Sequence, residues 1–199
     1  MVLLAVLLAL LQTPGGVQAY AVDPAASRVE VKVGRAGLLK MAGHEHTVVA
    51  EGFSGEVLVD QESAARSSVR VVFLASALRV ADKEAVDDIP KVQATMESEK
   101  VLDVGRFPEI RFSSTSVSER KHEGDQWELT VVGDFELHGV KRALTVPLRV
   151  VLAPDSLTAE GTVRFPQKDF GIEPVSVGGV VKVKDELEIA LRIVARRTP

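Results

Sequence analysis

Apolar and polar side chains alternate along most of the chain after Tyr20, with a period of two residues. Between Arg28 and Val33, for example, each valine is followed or preceded by a charged residue. Successive side chains of a strand point to opposite faces, so such a run predicts a strand with one apolar and one wet face. The alternation recurs in seven further runs, at about 53–59, 69–73, 110–112, 127–137, 144–150, 163–165 and 187–193. The pattern therefore predicts an all-β chain.

One segment departs from this rhythm and predicts a short amphipathic helix from about Val86 to Glu99. Asp88 is suited to the N-cap, and Pro90 fits the first turn because the nitrogens there have no intrahelical acceptor. Apolar residues then follow at helical spacing among polar ones: Ile89, Val92 and Met96. We interpret this helix as a lid over an open barrel end rather than as a carrier of catalytic groups.

The strands predict a single domain. About eight to ten short strands with one apolar face each fit an antiparallel barrel or a sandwich, and alternation alone does not separate the two. The 199 residues include neither a repeat nor an interdomain linker, and about 180 residues are enough for one sizeable core.

The first 19 residues have the layout of a cleaved secretory signal peptide. An uncharged apolar stretch from Val2 to Leu11 is followed by a Pro-Gly-Gly breaker and a small-x-small ending. This predicts cleavage between Ala19 and Tyr20 and a mature domain over residues 20–197. The apolar run is too short to span a bilayer, so we expect a periplasmic or secreted protein without a membrane span in the mature chain.

Composition and charge exclude several functional classes. The chain has no cysteine, so a disulfide scaffold, a thiolate metal site and a cysteine nucleophile are all ruled out. Lys and Arg total 24 against 28 for Asp and Glu, a net charge of -4. The signs are interspersed without a basic run, so no nucleic-acid partner is expected.

Two of the four histidines, His44 and His46, would project to the same face of a strand. That spacing suits a metal ion, but it also suits a polar pair that bonds to a neighbouring strand or meets a ligand headgroup. The sequence names no third metal ligand, because His138 lies in a predicted turn and His122 in a charged loop from Glu119 to Asp125. His44 and His46 are therefore weak metal candidates and stronger headgroup candidates.

No catalytic constellation is legible in the sequence. The Gly-x-Ser-x-Gly elbow of serine hydrolases is absent, and the carboxylates occupy the wet positions of strands. No Gly-rich phosphate loop stands between a strand and a helix. We therefore expect neither an enzyme nor a required cofactor.

The inward face is mostly aliphatic, with few aromatic residues. An eight-stranded barrel is just wide enough either to be filled by side chains or to hold one small or elongated ligand, and periodicity does not distinguish the two. If a cavity exists, its walls favour a flexible hydrocarbon. Candidate apolar contacts are Phe53, Phe73, Phe112, Leu129, Phe135 and Ile189.

Five segments, taken together and in order, resemble the YceI-like family. They are Tyr20–Ser27, Phe53–Val57, Phe107–Thr115, Leu137–Pro147 and Lys168–Ile172. Members of this family resemble lipocalins and are associated with binding polyisoprenoids or isoprenoid quinones. The resemblance implies a lipocalin-like barrel rather than a sandwich, and a carrier or store for an isoprenoid-type lipid.

The chain departs from the family pattern in two places. Gly34–Leu38 lacks a histidine that many members have, and Ala94–Leu102 lacks the charged residues usual in the helical insertion. Gly43–His46 resembles a subgroup with a Gly-His-x-His sequence. We therefore expect His44 and His46 to meet the ligand head, with a metal-binding redox or stress protein or a filled structural barrel as alternatives. A homodimer is compatible with any of these.

Overall fold

The computed structural model describes residues 16–36, 45–84, 86–177 and 181–199. Its strands form one antiparallel sheet that closes into an eight-stranded barrel, which confirms the predicted fold class. The strand segments are β1 (Gln18–Val22), β2 (Arg28–Ala36), β3 (His46–Ala50), β4 (Phe53–Val59), β5 (Ser68–Leu74), β6 (Leu78–Val80), β7 (Glu109–Glu123), β8 (Gln126–Leu137), β9 (Val140–Ala153), β10 (Ser156–Pro166), β11 (Ser176–Val177) and β12 (Val181–Arg197).

Three of the barrel strands are bent and consist of two segments each, and β11 lies off the ring and pairs only with β12, so twelve segments make eight barrel strands. β1 continues into β2, β3 into β4 and β5 into β6, with a short break in each case. Both halves of a bent strand pair with the same neighbouring barrel strand: β1 pairs with β4 and β2 pairs with β3, and β3 and β4 are themselves the two halves of one bent strand. The remaining strands β7, β8, β9, β10 and β12 follow in order, and β12 closes the ring against β2 and β1. Breaks of this kind let a strand curve around a small barrel.

The outer face of the barrel carries ion pairs that run from strand to strand. Glu188 on β12 accepts a hydrogen bond of 2.8 Å from Nε of Arg164 on β10, and Nζ of Lys32 on β2 lies 3.5 Å from the same carboxylate. The hydrogen bond from Arg164 lowers the pKa of Glu188. The polar positions of the alternation therefore face outward, as the sequence predicts.

Helix α1 (Ile89–Glu97) confirms the predicted helix and follows a 3₁₀ turn, Val86–Asp88. Asp88 occupies the N-cap position but makes no side-chain capping bond. β7 begins opposite Leu74, so β6 has no neighbouring strand on that side among the described residues, and the helix covers this edge of β6. There the side chain of Gln93 replaces a neighbouring strand: Oε1 accepts from the backbone N–H of Val80 at 2.8 Å, and Nε2 donates to the carbonyl of Leu78 at 2.9 Å.

We call the end of the barrel where β4 leads into β5 the lower end, and the opposite end the upper end. The segment between β4 and β5 closes the lower end. Asp60 is buried and its carboxylate accepts hydrogen bonds from the backbone N–H groups of Glu62 and Ser63, at 2.9 and 3.0 Å. Nε of Arg66 donates to the same carboxylate at 2.5 Å. Ala64, held between these groups, packs against the buried wall of the barrel.

Part of the upper end is closed by turns from three distant segments. His138 and Gly139 form the two-residue turn between β8 and β9, both with positive φ. A side chain at Gly139 would meet the ring of Phe107 at 2.4 Å, so only glycine fits there. Nδ1 of His138 lies 3.3 Å from the carbonyl oxygen of Phe170. The rest of this end lies between β2, β3, β12 and α1.

Strand β1 begins at Gln18, two residues before the predicted cleavage point. Cleavage after Ala19 would leave Tyr20, which is 1% exposed, as the first residue of that strand. The signal peptide stays a prediction, and residues 1–15 lie outside the described part of the chain. Within the described residues, no helix is both long enough and apolar enough to cross a membrane.

The Asp60 cluster predicts acid-sensitive stability. The hydrogen bond from Arg66, supported by two backbone N–H groups, lowers the pKa of Asp60 below its usual 3.8. Such a group stabilises the fold above its unfolded-state pKa, and this stabilisation is lost as the pH falls through the lower folded-state pKa. We expect Asp60→Asn to lower the melting temperature at pH 6, with a difference from wild type that shrinks steadily below pH 4. Asp125→Asn, in the exposed turn between β7 and β8, is the control; a difference that does not depend on pH would contradict the assignment.

Candidate functional site

A cavity of about 620 Å³ occupies the interior of the barrel. Its volume falls within the range of about 300–1,000 Å³ that is usual for small-molecule sites. Val, Leu, Ile and Phe side chains from the inward positions of the strands make up most of its wall. The structure thus contains a hollow barrel, an alternative that alternation alone could not decide.

Most of the predicted apolar contacts lie on this wall. The cavity is lined by Phe73, Phe112, Leu129, Phe135 and Ile189. Phe53 is different: it is buried beside Phe73, with ring centroids 5.2 Å apart, and does not line the cavity. Phe53 directly follows the break between β3 and β4 and packs into the core cluster around Tyr20, so it supports the wall without reaching the ligand space.

Polar groups occur at the two ends of the cavity, and the middle is apolar. At the lower end the wall includes Asp60, Ser67 and Ser68. The upper end has more: Arg35, His46, Asp88, Lys91 and Lys182. The upper end lies beside α1 and we call these five residues the mouth. A ligand in this cavity would meet hydrocarbon along its length and polar groups at the mouth.

His46 is held at the mouth by a buried carboxylate. Its Nδ1 lies 2.6 Å from Oδ2 of Asp82, and the other oxygen of Asp82 accepts a bond of 2.7 Å from the backbone N–H of Thr47. The Asp82 side chain is 4% exposed and that of His46 is 22% exposed. Because a carboxylate can only accept, Nδ1 carries the proton, and in the neutral ring Nε2 is left as an acceptor.

The other histidines have different places. His44, the second predicted headgroup residue, lies outside the described residues. His138 forms the predicted turn. His122 was assigned to a loop, which is wrong: it lies on β7, where its ring stacks on Trp127 at 3.7 Å between centroids. β7 continues past its pairing with β5, which ends at Ser113, but stays paired with β8 up to Glu123, so the charged segment there still forms a strand.

Sequence analysis missed two polar residues of the cavity region. Asp82 stands 36 residues from His46 and has no motif around it. Gln167 also lines the cavity; it is 4% exposed, and its Nε2 donates to the carbonyl of Lys184 at 2.8 Å. A buried glutamine directly after a strand carries no local signal of its surroundings.

The described residues do not bring together three His, Asp or Glu side chains that could hold a metal ion. The described polar groups at the mouth are charged side chains and the His46–Asp82 pair, and the buried Gln167 amide lies at the same end of the cavity. Such groups can bind a polar head, donate hydrogen bonds and accept them.

The family model described as the YceI-like domain matches residues 20–195. The chain belongs to the YceI-like family. Among its relatives, a UPF0312 protein of Vibrio parahaemolyticus is 29% identical over 185 residues, covering 88% of this chain and 89% of the relative. A UPF0312 protein of Vibrio vulnificus is 28% identical over 178 residues, covering 85% of each.

Two solved structures share the YceI-like fold. BcnA of Burkholderia cenocepacia superposes with a TM-score of 0.67 at 20% identity, over 87% of this chain and 98% of that one. A polyisoprenoid binding domain from Saccharophagus degradans has the same TM-score at 12% identity, over 91% and 99% of the two chains. At these identities the likeness concerns the fold alone.

Three of the segments that resemble the YceI-like family meet where the upper end of the barrel is closed. Phe107, His138 and Phe170 meet at the closed part of the upper end, and the ring of Phe107 lies edge-on to His138 at 4.8 Å. These contacts join three distant parts of the chain. They fix the barrel end and leave the mouth to other residues.

Asp82 is expected to fix the tautomer of His46. In the wild-type protein the ring should carry its proton on Nδ1, and Asp82→Ala should shift the population towards the Nε2–H form, which is the commoner one in water. Nitrogen-15 NMR of the histidine rings at pH 8 measures this directly. The rings of His122 and His138 serve as internal controls, and an unchanged His46 signal would show that Asp82 does not orient it.

Proposed function

We propose that this YceI-like protein is an exported, non-enzymatic carrier that holds an isoprenoid-type lipid in its barrel. The observation that carries the proposal is a cavity of about 620 Å³ with an aliphatic wall and a polar mouth. That arrangement matches an elongated apolar molecule with one polar end. We propose a polyisoprenoid or an isoprenoid quinone as the ligand class.

The wall favours such a ligand through burial of apolar surface. Transfer from water stabilises a ligand by about 25 cal/mol per Å² of buried apolar area, or about 0.8 kcal/mol per CH₂ group. Only part of this remains as affinity, because binding also costs translational and rotational freedom. Branched hydrocarbon needs no hydrogen bonds along its length, so a wall of Val, Leu and Ile accommodates it well.

The structural neighbour from Saccharophagus degradans is a polyisoprenoid binding domain, which supports the ligand class. The arrangement of polar groups supports binding over catalysis, since among the described residues no hydroxyl side chain is hydrogen-bonded to His46, which is paired with Asp82. The signal-like segment at residues 1–19 supports export, with residues 20–197 as the mature domain in the periplasm or outside the cell.

Helix α1 is suited to act as the lid of this carrier. Its apolar residues Ile89, Val92 and Met96 pack against the core cluster beneath it, while its outer face is polar. No residue of α1 is buried, so the helix rests on the barrel without being part of its core. Its main polar attachment to the wall is the amide of Gln93, described above.

One observation favours a second candidate, a metal-binding protein. A histidine that binds a metal usually donates its other ring N–H to a carboxylate, as His46 does to Asp82. This candidate predicts a transition metal in stoichiometric amount after purification without chelator, with loss in a His44→Ala/His46→Ala double variant. Elemental analysis of both proteins decides it: metal below a tenth of stoichiometry in the wild type removes the candidate.

The carrier proposal predicts an extractable lipid. Organic extraction and mass spectrometry of protein purified without detergent should give an isoprenoid-type molecule. Ala159→Phe places a ring in the cavity from the β10 wall and should abolish the bound lipid with the fold intact. Thr162→Phe introduces the same ring at an exposed position of the same strand and should keep it. Equal lipid content in the two variants, or none in wild type, would count against the carrier.

A further inference from the structure

The pairing of β12 is interrupted on both sides around Lys184: regular pairing with β10 ends at Glu186, opposite Pro166, and the pairing with β2 has a bulge. Val183 pairs with Arg35 of β2, but the next regular pair is Leu187 with Val33. Three residues of β12 therefore stand opposite one residue of β2, Gly34. A bulge of this kind interrupts the ladder of backbone hydrogen bonds. The carbonyl of Lys184 lies in this interruption.

The side chain of Gln167 satisfies that carbonyl. Gln167 follows β10 directly, and its Nε2 donates to the oxygen of Lys184 at 2.8 Å. A carbonyl oxygen can only accept, so the NH₂ group must face Lys184, and this fixes which end of the amide is which. The oxygen Oε1 consequently points away from the bulge.

Oε1 of Gln167 is an acceptor to which no group of the described residues donates a hydrogen bond. The residue is 4% exposed and lines the cavity. Every fully enclosed side-chain nitrogen or oxygen of the described residues does have a partner. Oε1 is therefore not fully enclosed, and the open space beside it is the cavity.

We propose that Oε1 of Gln167 accepts a hydrogen bond from the head of the ligand, and that this head carries a hydroxyl group. The inference rests on the carrier function proposed above and narrows its ligand class. An isoprenoid alcohol or a hydroquinone offers the required donor. An isoprenoid quinone offers only carbonyl acceptors and does not.

His46 provides a second acceptor at the same end. With Nδ1–H bound to Asp82, Nε2 of the neutral ring accepts. His46 pairs with Val33, Val33 with Leu187, and Leu187 with Phe165, two residues before Gln167. Three strand spacings, about 14 Å along the wall, thus separate the two residues. On a ring of eight strands, three spacings place the two residues on nearly opposite sides, so a hydroxyl bound to Gln167 is not assigned to His46 at the same time.

The charged residues of the mouth weigh less in this choice. Arg35, Asp88, Lys91 and Lys182 are exposed, so water competes for their hydrogen bonds and screens their charge. Gln167 is buried, and a buried acceptor that loses contact with water and gains no donor is costly. The chemistry of the head is therefore set mainly by the buried amide.

A matched pair of probes tests the proposal: geranylgeraniol and its methyl ether. Both have the same hydrocarbon and an acceptor oxygen, but only the alcohol can donate. Trp127 is the one tryptophan of the chain and lines the cavity, so its fluorescence reports binding. We expect the delipidated wild-type protein to bind the alcohol about 3- to 10-fold more tightly than the ether, as one hydrogen bond allows.

Gln167→Met removes the acceptor at similar size, together with the Nε2 donor to Lys184, and the preference for the alcohol should fall towards 1. Gln61→Met, an exposed glutamine outside the cavity wall, is the control and should keep the wild-type ratio. The extra methyl of the ether is common to all three proteins and cancels in the comparison.

Two results overturn the role of Gln167 and leave the carrier function standing. Equal affinities in wild type would mean that water, not the ligand, occupies Oε1; this comparison needs no variant. An undiminished preference in Gln167→Met would assign the hydroxyl to another group, such as His46. Failure of both probes to bind wild type would instead overturn the carrier function itself.

Discussion

The closure of the sheet by β12 is the constraint on which the rest of the structure depends. β12 is the longest strand and pairs with β10 on one side and with both halves of the bent first strand on the other. Closure fixes the ring at eight strands, a number at which the interior can either fill with side chains or hold a ligand. Here the inward residues are mainly Val and Leu, and they leave about 620 Å³ between them. The cavity follows from ring size together with residue size.

The irregular places in the ring decide what its ends can do. The break between β5 and β6 and the late start of β7 leave an edge that Gln93 of α1 covers, which attaches the helix at the mouth. Beyond the last β10 pair, at Glu186, the carbonyl of Lys184 accepts a hydrogen bond from Gln167, which fixes this amide at the cavity wall. Regular pairing builds the wall, and each interruption of pairing places a polar group where the regular sheet could not.

The wall could be predicted from sequence and the mouth could not, for a physical reason. A period of two is local, so the inward positions of Phe73, Phe112 and Ile189 follow from their own neighbours in the chain. The contact of His46 with Asp82 spans 36 residues and depends on how β3 lies beside the segment after β6. Phe53 has the correct period but follows a strand break, where side-chain direction depends on the bend. The family resemblance predicted a closed barrel rather than a sandwich. The segments that carry this resemblance meet at Phe107, His138 and Phe170, and they do not include His46 or Asp82.

Because the wall is apolar and the polar groups lie at the ends, affinity and selectivity for the ligand have separate sources. Each CH₂ buried along the wall contributes in proportion to area, whatever the head is, so the wall holds many apolar chains almost equally well. A buried acceptor acts differently: a head that covers Gln167 without donating to it leaves the oxygen unsatisfied, at a cost of about 1–3 kcal/mol. That asymmetry makes Gln167 and the oriented ring of His46 work chiefly by rejecting heads that lack a donor. A barrel whose wall does not discriminate between apolar chains can thus still be selective for the head of its ligand, through the acceptors of Gln167 and His46 at one end.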